Sequence, residues 1–166
     1  MNWTCKGYYI GFLLAILQTL TGIASYVTQT GHVIAVALQN PVFSIYTPII
    51  ITLAQLIGTF ISIPLMQHVE WRTMTLIGGY SLAFLDGLIG MFIYFYKLYE
   101  DIQAYDLTLT VMVIMVFMFT FGITLGSSAW PYASYMMPSG GIIAAQVLSF
   151  LLAGVSIISF SVVVNA

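Results

Sequence analysis

Residues 111–123 read VMVIMVFMFTFGI, a run with one hydroxyl and no charge. A strand of a transmembrane barrel alternates apolar and polar residues over about 10 positions. This run does not alternate, so neither face of such a strand could line a watery lumen. A lipid-crossing helix needs about 20 mainly apolar residues, and lipid admits only helices and closed barrels as spanning structures. The run therefore reads as helix, and its neighbours extend the span to 107–131.

Outward from it, four more stretches meet the same length and polarity requirement: 7–27, 42–66, 73–96 and 142–164. The 166 residues are 61% hydrophobic and 5% charged, with a mean hydropathy of +1.05. A soluble domain carries about 25% charged residues, so this chain cannot cover a water-facing surface. The fold expected is an all-α membrane protein of five transmembrane helices, with residues 1–166 forming one transmembrane domain. The linkers suit turns and loops: TQTGHVIAVALQNP (28–41), QHVEWR (67–72), the acidic KLYEDIQAYD (97–106) and PSGG (138–141). Short connections make neighbouring helices antiparallel.

The charges are few enough to name: Lys6, Glu70, Arg72, Asp86, Lys97, Glu100, Asp101 and Asp106. None builds a basic patch, which excludes a nucleic-acid partner. Cys5 is alone, so neither a disulfide nor a thiolate metal site is expected. His32 and His68 stand far apart without a carboxylate at ligand spacing, and each reads as a solvated loop histidine. No metal, cofactor or catalytic residue is expected, and the chain does not read as an enzyme. Lys6 and Arg72 against Lys97 favour an N-terminus in the cytosol or matrix. MNWTCKGYYIGFLLAIL lacks an Arg-rich presequence and a cleavage site, so the first span is expected to be a retained anchor.

Asp86 falls near the middle of span 73–96, where a charge costs about 2.5–3.5 kcal/mol on insertion scales. Such a residue marks either an ion or proton path or a carboxyl hydrogen-bonded to a neighbouring helix. With no basic partner visible in the spans, the hydrogen-bonded carboxyl is the preferred expectation. GYYIG (Gly7, Gly11) and GITLG (Gly122, Gly126) are candidate helix-packing positions, and Gly87 and Gly90 form a looser pair. Glycines allow close backbone approach where packing drives association.

GSSAWPYASYMMPSG (126–140) ends the fourth span. It resembles the GPxxWxYxxE-xxP signature near the tenth helix of sugar porters in the major facilitator superfamily, through Gly126, Trp130, Tyr132 and Pro138. LQTLTGIAS (17–25) resembles the seventh-helix QQxxGIN motif through Gln18, Gly22 and Ile23. QHVEWRTMTLIGG (67–79) is similar to the DRxGRRxLLLxGG loop through Arg72, Leu76, Gly78 and Gly79. The resemblance covers nearly the whole chain as helices seven to eleven and implies half of a major-facilitator-type bundle. Six N-terminal helices and a twelfth have no counterpart in this stretch.

The departures from the family pattern bear on function. By position, the remnant substrate-site residues are Gln18, Gln55 and Trp130. Thr19 and Ala24 replace a Gln and an Asn, Gly122 stands at a frequent Glu, and Ala153 and Gly154 stand at an Asn-Trp pair. At the family's charged gate, Gln67 and His68 replace Asp-Arg, Glu70 and Trp71 replace part of Gly-Arg-Arg, and Tyr135 replaces the Glu. Arg72 then reads as a snorkelling interfacial cation. Most hydroxyl-binding chemistry is gone, and a bundle lacking one helix leaves a face to be covered.

The preferred expectation is a structural, supernumerary subunit of a large membrane complex. Its partners would be other membrane subunits and lipids, and its preferred setting a respiratory complex of the mitochondrial inner membrane in a divergent eukaryote. The alternative is a sugar or small-solute transporter half working with a separate partner half, with the plasma membrane as the alternative location. Pro131 and Pro138 each remove a backbone donor, so the fourth helix is expected to bend or break near its end.

Overall fold

The computed structural model describes residues 3–27, 30, 42–98 and 104–165. Most of the 28–41 linker and residues 99–103 lie outside that description. So do the side chains of Lys6, Lys97 and Asp106, on which the expected orientation leans.

Among the described residues, six helices follow in order: α1 (Trp3–Leu20), α2 (Val42–Leu65), α3 (Trp71–Leu98), α4 (Ala104–Ile123), α5 (Leu125–Met136) and α6 (Ser139–Asn165). A short helical stretch, 23–27, continues from α1, and no strand occurs among the described residues. Among the described residues, five segments are long and apolar enough to cross a membrane: Gly7–Val27, Ile45–Leu65, Trp71–Met91, Val111–Met136 and Ser139–Ser159. The chain is an all-α integral membrane protein.

Two of these segments are broken helices. Gly22 takes φ +67°, a left-handed conformation open to glycine at little cost. It closes α1, with its N–H on the Thr19 carbonyl at 3.1 Å, while the Thr21 hydroxyl donates to the Gln18 carbonyl at 2.6 Å. The second break is at Thr124, with φ −109° and ψ −95°. The fourth span was expected to bend or break near its end through Pro131 and Pro138; α5 runs helically through Pro131 and ends at Met136, just before Pro138. The turn sits upstream because Gly126 allows it: a Cβ there would meet the ring and carbonyl of Phe121. The Ser127 hydroxyl donates back to the Ile123 and Thr124 carbonyls, at 3.0 and 3.1 Å. The first of these bonds occupies an acceptor that a broken helix would leave exposed, while the Thr124 carbonyl also takes the Ser128 N–H at 3.0 Å.

At the other end of α5, Met137 is extended (φ −118°, ψ 147°), the conformation favoured before proline. The Pro138 carbonyl then receives the N–H groups of Gly141 and Ile142, at 2.9 and 3.3 Å. Ser139, Gly140 and Gly141 thus already belong to α6, and the connection expected from PSGG shrinks to residues 137–138.

Helix α4 is the hub. Phe117 and Met118 are fully buried, in a cluster with Ile51 of α2, Leu82 and Ile89 of α3, and Leu125 and Ala129 of α5. α2 crosses α4 where two glycines interlock. A Cβ on Gly58 would strike the Phe119 carbonyl, and one on Gly122 the Gln55 carbonyl. A second cluster joins Ala15 of α1, Ala133 of α5, Met137 and Ala145 of α6.

The remaining contacts fix helix directions. Thr75 and Ser128 share a hydroxyl bond at 3.0 Å, and Gly78 abuts Thr124, so α3 and α5 run antiparallel. Thr19 bonds Ser149 and Ser25 bonds Ser156, both at 2.9 Å. Position numbers rise together in this pair of rungs, so the first span and α6 run parallel. α2 and α6 bury least, and their outer faces (Ile49, Leu53 and Phe60; Val147, Phe150 and Ile158) are exposed apolar surface.

Candidate functional site

The three remnant substrate positions fall at two junctions. Gln18 lies on α1, one turn beyond Ala15 of the α1–α5–α6 cluster. Its side-chain oxygen is buried and has no hydrogen-bond partner among the described residues. Trp130 is half-buried and packs on that same cluster beside Phe12 and Ile142. Gln55 belongs to the α2–α4 crossing, where its carbonyl accepts the Thr59 hydroxyl at 3.0 Å and faces Gly122. Thr19, at a position where the resemblance puts a second Gln, is turned inward. Its hydroxyl reaches the Ala15 carbonyl and Ser149, both at 2.9 Å.

The candidate packing glycines differ in their neighbours. Gly7 lies against the Met136 carbonyl and Gly11 against the Met137 side chain, at the α1–α5 contact. Gly122 meets α2, and the nearest neighbour of Gly126 is Phe121. Around Gly87 and Gly90 an added Cβ would find nothing within 4 Å.

At the α2–α3 turn, the chain reverses through hydrogen bonds from the His68 and Val69 N–H groups to the Leu65 carbonyl, at 3.1 and 3.0 Å. Glu70 precedes α3, its carbonyl accepting the Met74 N–H at 3.1 Å, and a carboxylate suits the positive end of a helix. Trp71 stands edge-to-face with Tyr135 of α5, ring centroids 6.2 Å apart and planes at 79°. These are positions where the resemblance puts opposite charges. Around the pair lies an open cleft of about 640 Å³, bordered by Gln67, His68, Arg72 and Tyr132 among others.

Asp86 is half-buried on α3, and the Tyr26 hydroxyl donates to its Oδ1. Tyr26 is held in turn by an edge-to-face contact with Phe117, centroids 5.1 Å apart at 67°. Leu20, Gly22, Ser25, Ser156 and Ser159 complete a cleft of about 360 Å³ around them. The sequence singled out Asp86 but not Tyr26 or the serines. Their signal was weak: Ser156 and Ser159 are one helical turn apart, and serine is common in membrane helices as packing. No cluster of three or more His, Cys, Asp or Glu able to hold a metal exists among the described residues.

The family model described as Sugar (and other) transporter matches residues 3–164. No curated protein and no solved structure gives a significant match.

Proposed function

We propose that this chain, which belongs to the sugar transporter family, forms helices seven to eleven of a carrier for a small solute. It would work against a further helix bundle across the wall that holds Gln18. The observation supporting this is the buried, unpartnered Gln18 oxygen. An orphan carbonyl in a membrane protein costs several kcal/mol unless something bonds it, and a solute hydroxyl or amide N–H is such a partner. Elsewhere in the chain, Ala24, Gly122, Ala153 and Gly154 stand at positions that bear polar or aromatic groups in the resembling motifs, and Gly122 packs into the α2–α4 crossing. A site with fewer hydroxyl partners discriminates less among polyols, so the solute is smaller or less hydroxylated than a hexose.

Uptake by the full carrier in cells or liposomes tests this with a series from glycerol through pentoses to hexoses. Gln18→Leu should raise KM about tenfold or more for the preferred solute, the loss of one hydrogen bond to a buried group. Saturable, stereoselective hexose flux unaffected by Gln18→Leu would overturn it.

A second reading, a structural subunit of a larger membrane assembly, is favoured by the Trp71–Tyr135 pair, which puts a neutral contact at a charged gate position. In mild detergent such a subunit co-migrates stoichiometrically with several different membrane subunits, whereas a carrier half co-migrates with no more than its partner bundle.

A further inference from the structure

The cleft at Asp86 holds more oxygen than a satisfied carboxyl needs. Asp86 lies near the middle of α3, about 22 Å along from Trp71 and about 18 Å from Leu98 at ~1.5 Å per residue. Tyr26 already donates to Oδ1. Beyond that bond, the cleft gathers the hydroxyls of Ser25, Ser156 and Ser159 and the end of α1 at Leu20 and Gly22. The C-terminal end of a helix carries partial negative charge, and interrupted membrane helices use such ends with hydroxyls to seat coupling cations. Ser25 and Ser156 hold each other at 2.9 Å, which fixes two of the oxygens across the α1–α6 contact.

Among the described residues, no Lys, Arg or His lines the cleft to neutralise the acid. Among the described side chains, the titratable group on it is Tyr26, from the 23–27 stretch. α6 faces the cleft with Ser156 and Ser159, and Phe117 of α4 packs against the Tyr26 ring. The cleft volume, about 360 Å³, far exceeds the ~30 Å³ share of one water in the liquid, so a partly hydrated ion fits.

We infer that Asp86, Tyr26, Ser25, Ser156 and Ser159 form a site for one monovalent cation, sodium or a proton, bound by the Asp86 carboxylate within the membrane. Tyr26 engages Oδ1 and orients the carboxylate, and Oδ2 takes the cation. A sodium ion draws its other ligands from the serine hydroxyls and water. A proton needs Oδ2 alone. The site stands apart from the solute reading, because Gln18 is not among the residues that line it and its occupancy is measured with no solute present.

The test uses the full chain in lipid nanodiscs, with radioactive sodium as one probe and infrared spectroscopy of the carboxyl groups as the other. Saturable sodium binding, abolished by Asp86→Asn and weakened about tenfold or more by Ser156→Ala, identifies sodium. No retained sodium, together with a carboxylic-acid band that follows pH and disappears in Asp86→Asn, identifies the proton. If the wild-type chain retains no sodium and its infrared spectrum matches that of Asp86→Asn across pH, the inference is wrong. Should Asp86→Asn not fold, Tyr26→Phe and Ser156→Ala decide. A site built as described changes its sodium or proton titration in at least one of them, and unchanged titrations in both overturn it.

Discussion

Gly58 and Gly87 look alike in the sequence and differ in what a methyl group would meet. At Gly58 and Gly122 the added carbon runs into backbone of the facing helix, while at Gly87 and Gly90 it finds open space. Backbone cannot swing aside as a flexible side chain can. Gly58→Ala and Gly122→Ala should each therefore cost about 1–3 kcal/mol of stability as overpacking. Gly87→Ala and Gly90→Ala should be neutral or gain up to about 1 kcal/mol from helix propensity. Unfolding midpoints of the purified variants in detergent measure the contrast, and equal losses at all four positions would refute the crossing. Spacing alone pairs Gly122 with Gly126, whereas the packing pairs Gly122 with Gly58. That partner has no glycine four residues away to draw attention to it, and an interhelical contact has no fixed offset in sequence.

Helices were legible as elements, and their interruptions were legible only in part. Hydropathy averages over a window of lipid-crossing length, so a one-residue change of φ leaves no trace in it. Gly22 stood out through its motif, and its physical role is the left-handed φ of +67°. Gly22→Ala should cost about 1–2 kcal/mol, the penalty for an L-residue in that region. Gly22→Asn should cost less. Thermal unfolding of the three proteins checks the order, and an Ala variant as stable as wild type would mean the first span is continuous. Thr124 had no such signal. The break there depends on Gly126 closing onto Phe121 and on α3 meeting it through Gly78, facts of packing that a proline-based argument could not contain. That argument found the end of α5 before Pro138, although α5 passes through Pro131, and it contained no sign of the break at Thr124.

The whole molecule is a bundle centred on α4 and α5, with α2 and α6 showing long apolar faces outward. Composition was enough for the membrane and the helices, because 5% charge leaves no other solvent for the surface. The Asp86 cleft was half legible. The acid declares itself by its cost in lipid, but Tyr26 reaches it from a residue 60 positions away. The Trp71–Tyr135 contact joins α3 to α5 without charge. An exposed ion pair would weaken with salt as the screening length falls from about 10 Å at 0.1 M to about 3 Å at 1 M. This contact should not: Trp71→Ala should lose about 0.5–1.5 kcal/mol, the scale of an aromatic pair, by the same amount in dilute and concentrated salt. A loss that shrinks with salt would instead point to Arg72 or Glu70 as the true fastening. The pair also gives the protein an optical gauge of its own. With Trp3 and Trp130 changed to Phe, the emission of Trp71 comes from an indole whose edge-to-face neighbour belongs to another helix. Any movement that parts α3 from α5 changes the colour and lifetime of that light, so opening could be followed in real time without attaching a dye.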